Sequence, residues 1–151
     1  LSMMTEWMMN RYPHRTEDFI KSFSANQMVA KTWLGEHLKL HTFGYESNRE
    51  VWVLGSWYGT ILVPLLRNIL EKPTIHLVDY DQENIEIAKY FHGDVHGHVL
   101  DVTFDLDELD TDIIINTSCE HMYPMKNPEK HTIDFHQWDG HHKRYMVIGR
   151  R

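Results

Sequence analysis

Cysteine is nearly missing from this sequence. Cys119 stands alone, so no intramolecular disulfide can form and the chain gains nothing from an oxidising compartment. Long apolar runs are missing too: none approaches the ~18 residues that a membrane-spanning helix needs. The opening Leu1-Ser2-Met3-Met4 has no charged-then-apolar signal pattern. The expectation from these absences is a soluble, cytoplasmic protein. Basic residues are outnumbered, with 15 Lys and Arg against 22 Asp and Glu and a net charge of −7. That balance repels a phosphate backbone, whose binders release counterions through a basic face. Nucleic acid is thereby disfavoured as a partner, and only the local run His141-His142-Lys143-Arg144 keeps it open. Repeats, low-complexity tracts and Pro/Gly/Ser-rich linkers are also lacking.

What is there suits one folded domain. The chain has 151 residues, 42% hydrophobic with five Trp, enough apolar surface for one core and too little for two. Three stretches differ in texture: a helical part over 1–49, alternating strands and helices over 50–122, and a loop with a last strand over 123–151. In the first, Ser24 and Gln27 have capping-box spacing, and Val29, Ala30, Trp33, Leu34 and Leu38 then recur at helical intervals. This predicts a helix ending near His41.

From Glu50 onward, Val51 to Gly55, Thr74 to Val78, His98 to Val102 and Asp112 to Asn116 read as short buried strands. Between them, Ile61, Leu62, Leu65, Leu66, Ile69 and Leu70 form a helical stripe, with Pro64 tolerable only in the first turn. Asp81 opens another helix, carrying Ile85 and Ala88. Strands alternating with helices imply right-handed crossovers and an α/β fold with a doubly wound, mostly parallel sheet. Tyr145 to Ile148 is taken as a fifth parallel strand in preference to a hairpin closed by Asp139-Gly140.

In such sheets, ligands bind beyond the carboxyl ends of the strands. The residues there are Gly55-Ser56-Trp57-Tyr58-Gly59, Asp79-Tyr80-Asp81, Asp101-Val102, and Asn116 with the run through Glu120 and His121. Two glycines between strand and helix allow a sharp turn and close approach to a ligand. A side chain at Gly59 is expected to enter the ligand's space. Asp79 follows about 20 residues later, where a carboxylate accepts hydrogen bonds from ribose hydroxyls. A dinucleotide fingerprint needs Gly-x-Gly-x-x-Gly facing a pyrophosphate. Bulky Trp57 and Tyr58 fill the middle of this loop instead, which favours a cofactor without phosphate.

The order Val53-Leu54-Gly55-Ser56-Trp57-Tyr58-Gly59, His76-Leu77-Val78-Asp79, Glu86-Ile87-Ala88-Lys89, Asp101-Val102 and Asp112-Ile113-Ile114-Ile115-Asn116 resembles the first four motifs of class I S-adenosylmethionine-dependent methyltransferases. The match spans about Glu50 to Met122. The resemblance implies a Rossmann-like core with S-adenosylmethionine as cofactor. Gly55 and Gly59 would shape the methionine pocket, Asp79 would hold the ribose and Asp101 would meet the adenine amino group. Ser56, Trp57, Tyr58, Tyr80, Val102 and Asn116 would complete the cofactor site. Two departures stand out. Trp57 occupies the usual central glycine, and the chain is expected to lack the last two strands of the common seven-stranded sheet.

The same resemblance implies methyl transfer to a small molecule or protein side chain. Glu120 and His121, after the fourth strand, are the candidate proton acceptors. Cys119 lacks the preceding proline of cytosine-C5 enzymes and reads as an inert thiol. His131, His136, His141 and His142 lack paired ligand spacing, so no metal site is expected. A non-methylating S-adenosylmethionine binder or S-adenosylmethionine-cleaving enzyme remains an alternative, and an NAD-dependent oxidoreductase is a further one that the glycine spacing opposes. The apolar N-terminal residues Trp7, Met8, Met9, Tyr12, Phe19 and Phe23 either pack on a second copy, giving a homo-oligomer, or fold back on their own sheet.

Overall fold

The computed structural model describes residues 2–42, 50–101, 111–116, 132–139 and 143–150. Three N-terminal helices come first: α1 (Ser2–Arg11), α2 (Thr16–Lys21) and α3 (Ala25–Thr42), with a 3-10 turn at Pro13–Arg15. There follow β1 (Glu50–Leu54), α4 (Leu62–Ile69), β2 (Thr74–Asp79), α5 (Gln82–His92), β3 (His96–Val99), β4 (Ile113–Asn116), β5 (Thr132–Asp139) and β6 (Lys143–Arg150). The strands lie in the order β3-β2-β1-β4-β6-β5. The first four run parallel, with Trp52 opposite His76 and Ile114, and β6 returns antiparallel to β4.

Local signals place these elements. Ser24 Oγ accepts the Gln27 amide at 3.4 Å, opening α3 as its spacing predicts. Asp81 caps α5 by accepting the Glu83 and Asn84 amides. Pro64 falls in the first turn of α4, where its missing N–H costs nothing. Alternation along the strands then sets the core. Val51, Val53, Ile75, Leu77, Ile113 and Ile115 face Leu34, Leu38, Leu62, Val63, Leu66, Ile85 and Ala88 of α3, α4 and α5. A second cluster joins Met4, Met8, Tyr12 and Phe19 to Tyr58 and Ile87. Met8, Tyr12 and Phe19 are thus buried against the glycine loop and α5, whereas Met9 and Phe23 stay exposed.

The opposite sheet face carries an aromatic layer. Trp52 stacks on His76 at 4.4 Å and on His98 at 4.6 Å, and His96 stacks on His76 at 4.9 Å. Within it, His76 Nε2 meets Glu50 Oε2 at 2.6 Å, and His76 Nδ1 meets His98 Nε2 at 3.0 Å.

Two expectations need correction. The third strand is His96–Val99, not His98 to Val102. Gly97 decides this: a Cβ there would lie 2.5 Å from Ile85 Cγ2 and 2.9 Å from Lys89 Cδ, so only glycine lets α5 sit this close to β3. Val99 and Leu100 are half exposed instead of central. The second correction concerns the C-terminal part. Instead of a fifth parallel strand, β5 and β6 form an antiparallel pair, with Asp139 opposite Lys143. Residues 140–142 between them are too few for a crossover, which takes a dozen or more.

Candidate cofactor site

The carboxyl ends of β1 and β2 meet at a loop with an unusual backbone. Gly55, Trp57 and Gly59 have φ of 62°, 52° and 61°. Glycine adopts this left-handed region freely, but Trp57 does so only under constraint, at a cost of about 1–3 kcal/mol. The constraints are visible. The Ser56 amide donates to the Val78 carbonyl at 3.0 Å, and the Trp57 amide donates to Asp79 Oδ2 at 3.0 Å. Gly59 N–H closes the turn on the Ser56 carbonyl at 3.1 Å.

Asp79 is the centre of this arrangement. It is buried at the end of β2, and its Oδ1 accepts the Asp81 amide at 2.9 Å and Asn84 Nδ2 at 3.3 Å. An ionised carboxylate offers about four acceptor positions. Three are filled by the protein, which leaves one on Oδ2. Tyr80, next along, is 82% exposed, and with half-exposed Val99 and Leu100 gives the β2 and β3 ends an apolar edge. Leu100 N–H is tied to the Asp79 carbonyl at 3.0 Å, which brings that edge beside the loop. Asp101 follows and is exposed, and Asn116 is buried at the end of β4, opposite Leu54. Val102, Glu120, His121 and Cys119 lie outside the described residues, as do His131, His141 and His142. Among the described residues no group of three or more His, Cys, Asp or Glu could hold a metal ion.

Gly59 and Tyr58 both face the protein interior, which for Gly59 is not the side expected. A Cβ on Gly59 would meet Val63 Cγ2 at 3.0 Å, His92 Nε2 at 3.6 Å and Leu77 Cδ1 at 3.8 Å. It would enter the core, not the ligand's space, so this glycine serves the seating of the loop on α4. Tyr58 is fully buried, packed edge-on against Phe19 with ring centroids 5.5 Å apart. Burial, with the Asp18 carboxylate on its hydroxyl, pushes the phenol well above its usual range and keeps it a neutral donor.

The N-terminal helices supply residues that sequence reasoning missed. Asp18 Oδ2 accepts Trp57 Nε1–H at 3.0 Å and Tyr58 O–H at 2.5 Å. Arg15 pairs with Asp81 and donates to Glu83 Oε2 at 3.2 Å and Asn84 Oδ1 at 2.8 Å. That pairing, through the Asp81 hydrogen bond, raises the guanidinium further above its already high value. On Asp81, burial works upward, but the guanidinium and the two capping amides outweigh it and hold the carboxyl below its usual value. Thr60 Oγ1 donates to Ser22 Oγ at 2.8 Å, and Tyr12 O–H donates to Glu86. From the other side, His92 Nε2 meets the Tyr58 carbonyl at 2.8 Å.

The sequence matches no protein-family model and no curated protein. Solved structures do match. Ribosomal protein L11 methylase from Lactobacillus delbrueckii subsp. bulgaricus aligns over 85% of this chain and 81% of its own, at 14% identity and a TM-score of 0.51. A SAM-dependent O-methyltransferase from Thermotoga maritima aligns over 81% of this chain and 64% of its own, at 11% identity and 0.52. MtNAS in complex with MTA and tNA aligns over 99% of this chain and 69% of its own, at 11% identity and 0.50. The chain shares the Rossmann-like α/β fold of these structures. In that fold the glycine loop, Asp79 and the Tyr80–Leu100 edge sit at the carboxyl ends of adjacent parallel strands, where α/β sheets bind ligands.

Proposed function

We propose that this chain is an S-adenosylmethionine-dependent methyltransferase acting on a small molecule or a protein side chain. The observation that carries the reading is Asp79: a buried carboxylate that fixes the glycine loop through the Trp57 amide while retaining one acceptor position at the site. Gly55, Ser56, Trp57 and Tyr58 would offer loop backbone to the methionine half, Gly59 would keep the loop seated, Tyr80 would cover the adenine, and Asp101 with Val102 would face its edge. Asn116 would close the site from β4. Bound there, S-adenosylmethionine supplies a methyl group already activated by a sulfonium. The protein's task is then to align the acceptor and take its proton. Glu120 and His121, which follow β4 in sequence, are the residues proposed for that proton.

Calorimetry with S-adenosylmethionine, S-adenosylhomocysteine and NAD tests the cofactor. Binding of the first two without NAD is expected, and NAD binding alone would overturn the reading. A second reading has its own support. MtNAS, which aligns over nearly this whole chain, is a protein solved with MTA bound. An S-adenosylmethionine-cleaving or otherwise non-methylating chain would release MTA, or nothing, where a methyltransferase releases S-adenosylhomocysteine. Chromatography of the products separates the two. A cytoplasmic setting and a homo-oligomer belong to the same proposal; a monomer mass by light scattering at micromolar concentration would remove the oligomer.

A further inference from the structure

We propose that Asp18 is a positioning residue for the cofactor loop, acting from α2 to hold Trp57 in its left-handed conformation and so preset the cradle. The inference rests on the reading that this loop binds S-adenosylmethionine.

Its basis is the way one carboxylate oxygen takes two consecutive side chains. In extended backbone, neighbouring side chains point to opposite sides. The Trp57 and Tyr58 rings lie on one side, with centroids 5.3 Å apart and planes tilted by 31°. The φ of 52° at Trp57 accompanies this arrangement, and with it both the indole N–H and the phenol O–H reach Asp18 Oδ2. Binding both groups therefore favours the observed turn over extended backbone. Asp79 takes the Trp57 amide from the strand side, so the same residue is held by two carboxylates, one on its backbone and one on its ring.

Asp18 is itself anchored. Arg15, one turn earlier, is tied to Asp81 and Asn84 at the start of α5, and Ser22, one turn later, is tied to Thr60 at the far end of the loop. Phe19 beside it packs against Tyr58 and Phe91. The segment from Arg15 to Ser22 thus bridges the loop and the helix that follows β2. Without the Asp18 oxygen, Trp57 loses the contact that offsets its backbone strain, and the loop spends less time in the binding conformation. Apparent affinity falls by that lost fraction.

The test uses the full chain and calorimetry with S-adenosylmethionine, with circular dichroism to confirm folding. Asp18→Ala is expected to weaken binding about tenfold, and Asp18→Asn, whose amide oxygen still accepts, to recover most of the loss. Trp57→Phe, which removes the indole donor and leaves Asp18 intact, should weaken binding in the same direction and serves if Asp18→Ala fails to fold. In a Trp57→Gly background the backbone needs no help, so adding Asp18→Ala should change affinity little. A role confined to stability would lower the melting temperature of Asp18→Ala and leave the affinity of folded Asp18→Ala and Trp57→Phe unchanged, which would overturn the inference alone. Absence of binding by the wild-type chain would end the reading and the inference together.

Discussion

His92 gives the sharpest test of how the loop is held. It ends α5, and its Nε2 meets the Tyr58 carbonyl at 2.8 Å in the heart of the glycine loop. Burial pushes its pKa from 6.5 down to about 4, with the Arg67 guanidinium adding to the effect and the Tyr58 carbonyl opposing it. In the folded chain the ring is therefore neutral at pH 5, whereas in the unfolded chain it is charged. The unfolded state binds more protons between those two values, so this contribution is complete above about pH 6.5 and is lost as pH falls toward 4. At ~1.4 kcal/mol per pH unit the drop corresponds to at most about 3 kcal/mol. Partial access of solvent to the ring reduces the expectation to about 1–2 kcal/mol. For a chain of this length that is a fall of roughly 2–8 °C in Tm. The comparison is wild type against His92→Gln, whose amide still donates to Tyr58 but does not titrate. Urea unfolding at pH 7.5, 6, 5 and 4 should show the wild type losing about 1–2 kcal/mol more than the variant. Parallel stability curves, or an NMR titration of His92 near 6.5, would refute the argument.

Other positions give further tests. Gly59→Ala should destabilise the fold by about 1–3 kcal/mol, because it places a side chain at a left-handed φ and against Val63; an unchanged chemical-denaturation midpoint would show that the turn is less constrained. Asp79→Asn is expected to weaken S-adenosylmethionine binding more than Asp81→Asn does, since Asp81 serves the α5 cap and Arg15 while Asp79 serves the loop. The reverse ranking in titrations of folded variants would move the ribose site away from Asp79. Burial first, then His76, His96 and Lys89, hold His98 below its usual pKa. His76→Gln should therefore raise the His98 midpoint while leaving it below 6.5, and an NMR titration in which His98 does not move would exclude coupling between the rings.

The parallel core was legible because its information is local. Val51, Val53, Ile75, Leu77, Ile113 and Ile115 alternate in short runs bounded by turn residues, and Ser24, Asp81 and Pro64 mark helix starts by their own chemistry. Asp79 and Gly55 could be placed from strand ends alone. The direction of Gly59 could not, because periodicity does not tell which side of a turn a missing Cβ would occupy. β3 was misplaced by two residues because Val99 and Leu100 look like strand interior, whereas the close approach of Ile85 and Lys89 to Gly97 is a tertiary fact. Asp18 was invisible for a plainer reason. Its partners lie 39 and 40 residues further along, and an acid in the first turn of a helix is ordinary in any amphipathic sequence.

The bridge from Arg15 to Ser22 also bears on the order in which the chain can fold. Its partners at Trp57, Thr60, Asp81 and Asn84 are made only after it, and central strand β1 must wait for a neighbour whose anchoring contact, Asp112 to Glu50, spans 62 residues. Contacts of that separation form late, because loop closure must be met before they reward it. Within the parallel sheet, β1-α4-β2 and β2-α5-β3 close over much shorter separations, pairing Glu50 with Thr74 and His76 with His96, and the glycine loop lies inside the first of them. That β1-α4-β2-α5-β3 segment is the natural nucleus, and the N-terminal helices dock onto it afterwards. Substitutions at Asp18 or Arg15 should therefore act on the unfolding rate and leave the folding rate nearly unchanged, whereas substitutions at Leu66 or Leu77 should slow folding itself.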